Sequence, residues 1–175
     1  MKILIAGMGN VLRGDDAFGI RAVEALADGR SLPDGVHLYE AGIAGIPLVQ
    51  ELMNGFDAMI IVDAVERASA PGTLFVLEPG ESRPDEIEPA RVHQAMVDAH
   101  YADPSKVLLL ARALKICPPR VLIVGCQPAS VEEAFEGMNP AVERAVPLAV
   151  ERILSLVESL NRNTSAQQDE TTQSR

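Results

Sequence analysis

Three short stretches of this chain, Ile3–Ala6, Ala58–Val62 and Val121–Val124, are apolar at every position rather than at alternate ones. A strand with one face in water alternates, so an unbroken apolar run of this length belongs to a strand covered on both sides. Such strands need helices above and below the sheet, and helical stripes do lie between the runs. Ile20, Val23 and Ala27, with Ala22 and Leu26, predict a helix from about Ala17 that Gly29 stops. Ile46–Met53 predicts a second helix. Asp103-Pro104 marks the start of a third, with Asp as cap, Pro in the first turn, and Val107, Leu108 and Ala111 as its apolar stripe. Asn139-Pro140 opens a fourth, lined by Val146, Val150, Ile153 and Val157, which Pro147 is expected to kink or split.

Two further strands complete the pattern. Val36–Glu40 alternates and predicts a more exposed strand, while Thr73–Leu77 is reached through Pro71-Gly72, a link too short for a helical crossover. That strand is therefore expected to run antiparallel. The acidic, proline-bearing stretch Gly80–Pro89 reads as loop. The expectation is an α/β fold in three layers: a mostly parallel, twisted sheet of about five strands, helices on both faces, one strand antiparallel. At 175 residues and with no internal repeat, residues 1–160 are read as one domain. Residues 161–175, rich in Asn, Thr, Ser and Gln, are read as a disordered polar tail.

Charge and composition exclude several classes of function. Lys and Arg number 15 against 25 Asp and Glu, a formal charge of −10. The tail carries Arg162, Arg175, Asp169 and Glu170, which cancel, so the domain holds the whole excess. An acidic surface repels phosphate backbones and argues against a nucleic-acid partner. No apolar run approaches the roughly 18 residues of a membrane span. Met1-Lys2 runs straight into the first strand, without the longer apolar stretch and cleavage site of a signal peptide. Cys117 and Cys126 are too few for a disulfide framework. These features point to a cytoplasmic protein with no membrane partner, and a monomer is the default.

In an open α/β sheet, ligands bind at the carboxyl ends of the strands. Asp15 and Asp16 fall in the glycine-bearing loop after the first strand, and Asp63 terminates the third. The helix from Pro104 feeds the last strand, so a right-handed crossover starts it at the same rim and brings His100, four residues earlier, there too. Two carboxylates and an imidazole suit a transition metal, with positions left open for water or substrate. Plainer readings stand beside this one. Either Asp15 or Asp16 can cap the first helix while the other faces the crevice, and a loop histidine is commonly just solvated. Asp63 is harder to set aside, because an otherwise apolar strand rarely ends in an unpaired carboxylate. His93 and His37 are rivals to His100, His37 lying on the outer face of the alternating strand. Cys126 follows a buried strand and reads as a structural thiol before a reactive one.

Known catalytic signatures are mostly missing: the chain has no G-x-S-x-G, H-E-x-x-H or C-x-x-C. Gly7-Met8-Gly9 starts like a dinucleotide loop, and Glu40 stands where such a fold places its ribose-binding acid. Leu12 occupies the place of the third glycine, however, and Asp15 and Asp16 would crowd a pyrophosphate with like charge. A dinucleotide-binding oxidoreductase stays open as an alternative.

Taken together, the segments resemble the nickel–iron hydrogenase maturation proteases over nearly the whole chain, to about Leu160. Gly7-Met8-Gly9-Asn10-Val11-Leu12-Arg13-Gly14-Asp15-Asp16 is similar to the family's G-x-G-N signature, with its apolar pair and then its acidic pair. Asp63 after Ile60-Ile61-Val62 matches the second acidic position, and His100-Tyr101-Ala102-Asp103-Pro104 the histidine segment, which selects His100 over His93. Val124-Gly125-Cys126-Gln127-Pro128 and Met138-Asn139-Pro140 also fit. The resemblance implies an endopeptidase that removes the C-terminal extension of a hydrogenase large-subunit precursor once nickel is inserted. It implies Asp16, Asp63 and His100 as metal-binding and catalytic residues, with the nickel borne by the substrate and no organic cofactor. A non-catalytic nickel-sensing chaperone on the same scaffold is the second reading. Three positions depart from the family pattern: Asp16 where some members have Glu, Ala17 in place of a glycine, and Glu40–Gly45 in place of an Asp-Gly-Gly-Thr type of loop.

Overall fold

A computed structural model describes residues 1–28, 31–80, 90, 103–131 and 137–173, with side chains as far as Arg162. Its sheet has five strands: β1 (Ile3–Met8), β2 (Val36–Gly42), β3 (Ala58–Ala64), β4 (Leu74–Leu77) and β5 (Arg120–Cys126). They stand in the order β2-β1-β3-β5-β4. β1 lies parallel between β2 and β3, and β3 is parallel to β5. β4 pairs antiparallel along β5, as the short link before it requires.

The unbroken apolar runs now have their explanation. Successive side chains of a strand leave opposite faces of the sheet. On one face Ile3, Ile5, Ile60, Val62 and Val124 pack under α1 (Phe18–Ala27) and α4 (Pro140–Gln173), against Phe18, Leu26, Ala149 and Ile153. On the other, Leu4, Ala6, Met8, Met59 and Ile61 meet Leu48 and Leu52 of α2 (Gly45–Leu52) and Val107 and Ala111 of α3 (Pro104–Ala113). Both cores need apolar residues, so neither parity of β1 or β3 is free to be polar. The three-layer α/β architecture expected from sequence is the one observed.

Helix boundaries follow local chemistry in most places. The Asp103 side chain accepts the Lys106 N–H at 3.0 Å and caps α3, and Asn139 Oδ1 accepts the Ala141 N–H at 2.9 Å at the start of α4. Two expectations need correction. Neither Asp15 nor Asp16 caps a helix: both lie in a 3-10 turn, Gly14–Ala17, that leads into α1 without a side-chain cap. Pro147 sits inside α4 without splitting it. Ala145 on one side of it and Ala149 and Val150 on the other are buried on the sheet, so packing outweighs the one missing backbone hydrogen bond. The helix is continuous to Gln173. Between Arg152 and Gln173 there is neither Gly nor Pro to stop the helix. No helix among the described residues is long and apolar enough to cross a membrane.

Candidate active site

The chain departs from β1 toward β2 on one side and later returns to place β3 on the other. The loops after β1 and β3 therefore diverge, and this switch point is where an open α/β sheet forms its crevice. A cleft of about 380 Å³ opens there. The loop after β1 contributes Asn10, Arg13 and Asp16, and the end of β3 contributes Asp63, Ala64 and Glu66. Ile43 reaches it from the loop before α2, Asp103 and Lys106 from the start of α3, and Val131 from the segment after β5.

Asp16 is held by a tightly wound loop. Gly9 has φ +119°, and a Cβ there would lie 1.8 Å from the Asp16 carbonyl oxygen, so only glycine lets the turn close over β1. The Asn10 N–H donates to Asp16 Oδ2 at 3.1 Å, and the Asp16 N–H donates to the Arg13 carbonyl at 2.9 Å. Asn10 Oδ1 in turn accepts the Leu12 N–H at 3.0 Å. At the start of α1, a Cβ on Gly19 would lie 2.1 Å from the Val62 carbonyl and 2.3 Å from that of Met8. These glycines serve close packing of helix on sheet, and this is what the resemblance to a dinucleotide loop amounts to.

Asp63 sits beside Gly125 in the register of β3 and β5, with its Oδ1 accepting the Ala64 N–H at 2.9 Å. Burial pushes its pKa up to about 7; the charges of Asp16 and Asp103 add to this, and the Ala64 hydrogen bond opposes it. Asp16 is also raised from the ordinary carboxylate range, chiefly by burial, against the Asn10 hydrogen bond and the Arg13 charge. Four carboxylates, those of Asp16, Asp63, Glu66 and Asp103, line the cleft with two cations, Arg13 and Lys106. Such a wall favours a positively charged guest. Of these carboxylates, Asp63 is tuned to exchange a proton near neutrality.

The structure thus brings Asp16 and Asp63 together. His100 and its rival His93 lie outside the described residues, and Asp103, three positions after His100, lines the cleft. Among the described residues no three His, Cys, Asp or Glu side chains are grouped as a metal site. His37 is remote from the cleft: it is paired with Leu4 near the opposite end of β1 and stacks edge-on against Phe56, ring centres 5.5 Å apart.

The sequence model of the hydrogenase maturation protease family matches residues 20–156. The chain belongs to this family. It is 36% identical over 156 residues to the hydrogenase 2 maturation protease of Escherichia coli, covering 89% of this chain and 90% of that relative. The Rhodobacter capsulatus hydrogenase expression/formation protein HupD is 33% identical over 149 residues, covering 85% of this chain and 68% of the relative. Among solved structures, the Escherichia coli hydrogenase maturating endopeptidase HybD superposes with a TM-score of 0.70 at 32% identity, covering 91% of this chain and 93% of that one. A Thermococcus kodakarensis [NiFe] hydrogenase maturation protease, HycI, matches with a TM-score of 0.65 at 26% identity, covering 90% and 92%. The chain is accordingly a hydrolase, a peptidase of hydrogenase maturation, and the oxidoreductase alternative is set aside.

Within this maturation protease, some residues that matter were not singled out from the sequence. Asp103 was read only as a helix cap, yet it does both jobs, capping α3 and lining the cleft. The crossover argument that placed His100 at the rim applied equally to it. Buried Gln127 accepts the Arg67 N–H at 2.6 Å and the Ser69 N–H at 3.3 Å, fastening the segment after β3 to the end of β5. Cys126 is fully buried, and burial together with the Asp15 charge pushes its thiol up to about 11, so it is structural as expected.

Proposed function

We propose that this protease removes the C-terminal extension of a nickel–iron hydrogenase large-subunit precursor after nickel insertion, using Asp16, Asp63 and His100 to read the nickel that the precursor carries. The observation that carries the reading is the pair Asp16 and Asp63, half-buried together at the switch point of the sheet in a cleft with an acidic wall. Burial raises the cost of ionising both carboxyl groups and the Asp16 charge adds to it at Asp63, and a divalent cation presented by a partner relieves both costs. An incomplete ligand set suits an ion already held by another protein, because it recognises the loaded state without extracting the metal. The ion, as part of the substrate, polarises the scissile carbonyl or lowers the pKa of the attacking water. The chain's own share is to orient that water and accept its proton, and a carboxylate tuned near neutrality, such as Asp63, is suited to the task. In this reading the enzyme is an aspartyl-type endopeptidase whose partner is the precursor, and it needs no organic cofactor.

The deciding experiment incubates the purified protein with nickel-loaded and nickel-free precursor and reads subunit mass. Shortening of the loaded form alone is expected. Binding of the loaded form without shortening points to the nickel-sensing chaperone instead, and equal shortening of both forms overturns the role of the metal.

A further inference from the structure

Asp15, next in the chain to Asp16, points away from the cleft and is only 3% exposed. Its carboxyl group ties together distant parts of the chain. Oδ2 accepts the Ala129 N–H at 2.7 Å and the Ser130 N–H at a longer 3.4 Å, while Oδ1 accepts the Asn139 N–H at 2.6 Å. One buried side chain thus fastens both the exit from β5 and the entry to α4 onto the 3-10 turn after β1. The next residue after Ser130, Val131, is part of the cleft wall.

We propose that Asp15 is a positioning residue that sets the Val131 wall of the substrate cleft and takes no part in bond breaking; the proposal rests on the endopeptidase reading above. Asp16 does not depend on this clasp, because the Asn10 N–H holds its carboxyl group and the Arg13 carbonyl holds its amide. Loosening Asp15 therefore moves the wall that receives the precursor and leaves the reacting carboxyl group in place. The signature is a change in KM with kcat spared. A residue that only stabilises the fold would lower Tm and leave both constants unchanged per folded molecule.

The test uses the full chain and the nickel-loaded precursor. Asp15→Asn keeps the size of the side chain but turns one acceptor into an NH2 group facing a backbone N–H, so one of the two anchorages is lost. Per folded molecule, KM is expected to rise about tenfold and kcat to stay within about threefold. Val131→Ala, which leaves the clasp intact, is expected to raise KM with Tm nearly unchanged. Asp15→Asn with a lower Tm but unchanged KM and kcat, or with kcat lost at constant KM, overturns the proposal. If Asp15→Asn does not fold, Val131→Ala decides, and an unchanged KM overturns it. A wild-type protein that leaves the precursor intact brings down the endopeptidase reading and this proposal together. A wild type that cuts, with variants that bind as it does, brings down this proposal alone.

Discussion

At the scale of single residues, Asp63 is the most consequential titrating group in the cleft. Its folded-state pKa of about 7 lies above its ordinary value of 3.8, so the folded protein holds the proton more tightly than the unfolded chain does. Stability contributed at this site is present below pH 3.8 and is lost as pH rises through 7. Asp63→Asn removes that loss. Urea unfolding at pH 8 is expected to find the variant more stable than wild type by about 1–3 kcal/mol, the difference vanishing toward pH 4. A variant equally stable or weaker at pH 8 would contradict the burial assigned to this carboxyl group. The same substitution, like Asp16→Asn and His100→Ala, is expected to cut precursor processing by at least about 100-fold while the far-ultraviolet circular dichroism spectrum is kept. Normal processing by all three would remove these residues from the chemistry. A protein that grows more stable when a carboxyl group is neutralised, yet stops working, has spent stability on its site.

At the scale of elements, the packing of α1 on the sheet hangs on Gly19. A methyl group at that position would overlap the Val62 and Met8 carbonyl oxygens, both backbone atoms that cannot swing aside. Gly19→Ala is expected to cost about 3 kcal/mol or more, or to yield no folded protein, as read by urea unfolding. Pro147 works in the other direction. It is exposed and interrupts the hydrogen-bond ladder of an otherwise continuous α4, so Pro147→Ala is expected to raise stability by about 1–3 kcal/mol in a thermal melt. The elements themselves were largely legible. Apolar runs and stripes located each strand and helix among the described residues to within a few positions, because burial on one or two faces leaves a periodic mark. Two features were not legible, and each for a physical reason. The 3-10 turn at Gly14–Ala17 owes its shape to long-range contacts of Asp15 and Asp16 that no local pattern encodes. Pro147 is overruled by tertiary packing.

At the scale of the whole molecule, one sheet serves two cores, and the site lies where its connections diverge. Neighbouring residues of β3 belong to opposite cores, Ile60 to that of α1 and α4 and Ile61 to that of α2 and α3. Ile60→Ala and Ile61→Ala are each expected to cost about 2–5 kcal/mol and to shift one shared unfolding transition, with fluorescence-independent probes such as circular dichroism and hydrogen exchange coinciding. Two separate transitions would show that the layers fold independently. The fold class was readable from the apolar runs, and strand ends placed Asp15, Asp16 and Asp63 on one rim, but the choice of Asp16 over Asp15 came from the family resemblance alone. The clasping of Asp15 across more than a hundred residues was not, since an acidic pair before a helix looks the same whether it caps, coordinates or ties loops together.

The anchoring of the two cleft carboxyl groups has a consequence for how such a protease diversifies. Asp16 is secured by the amide of Asn10 within its own loop, and Asp63 by the amide of the residue that follows it. Ile43 and Val131 approach from other connections altogether. The carboxyl groups and the apolar part of the cleft wall are thus carried by separate connections. On the proposed reading, exchanging the connections that carry Ile43 and Val131 is expected to change which precursor is bound while Asp16 and Asp63 keep their anchors.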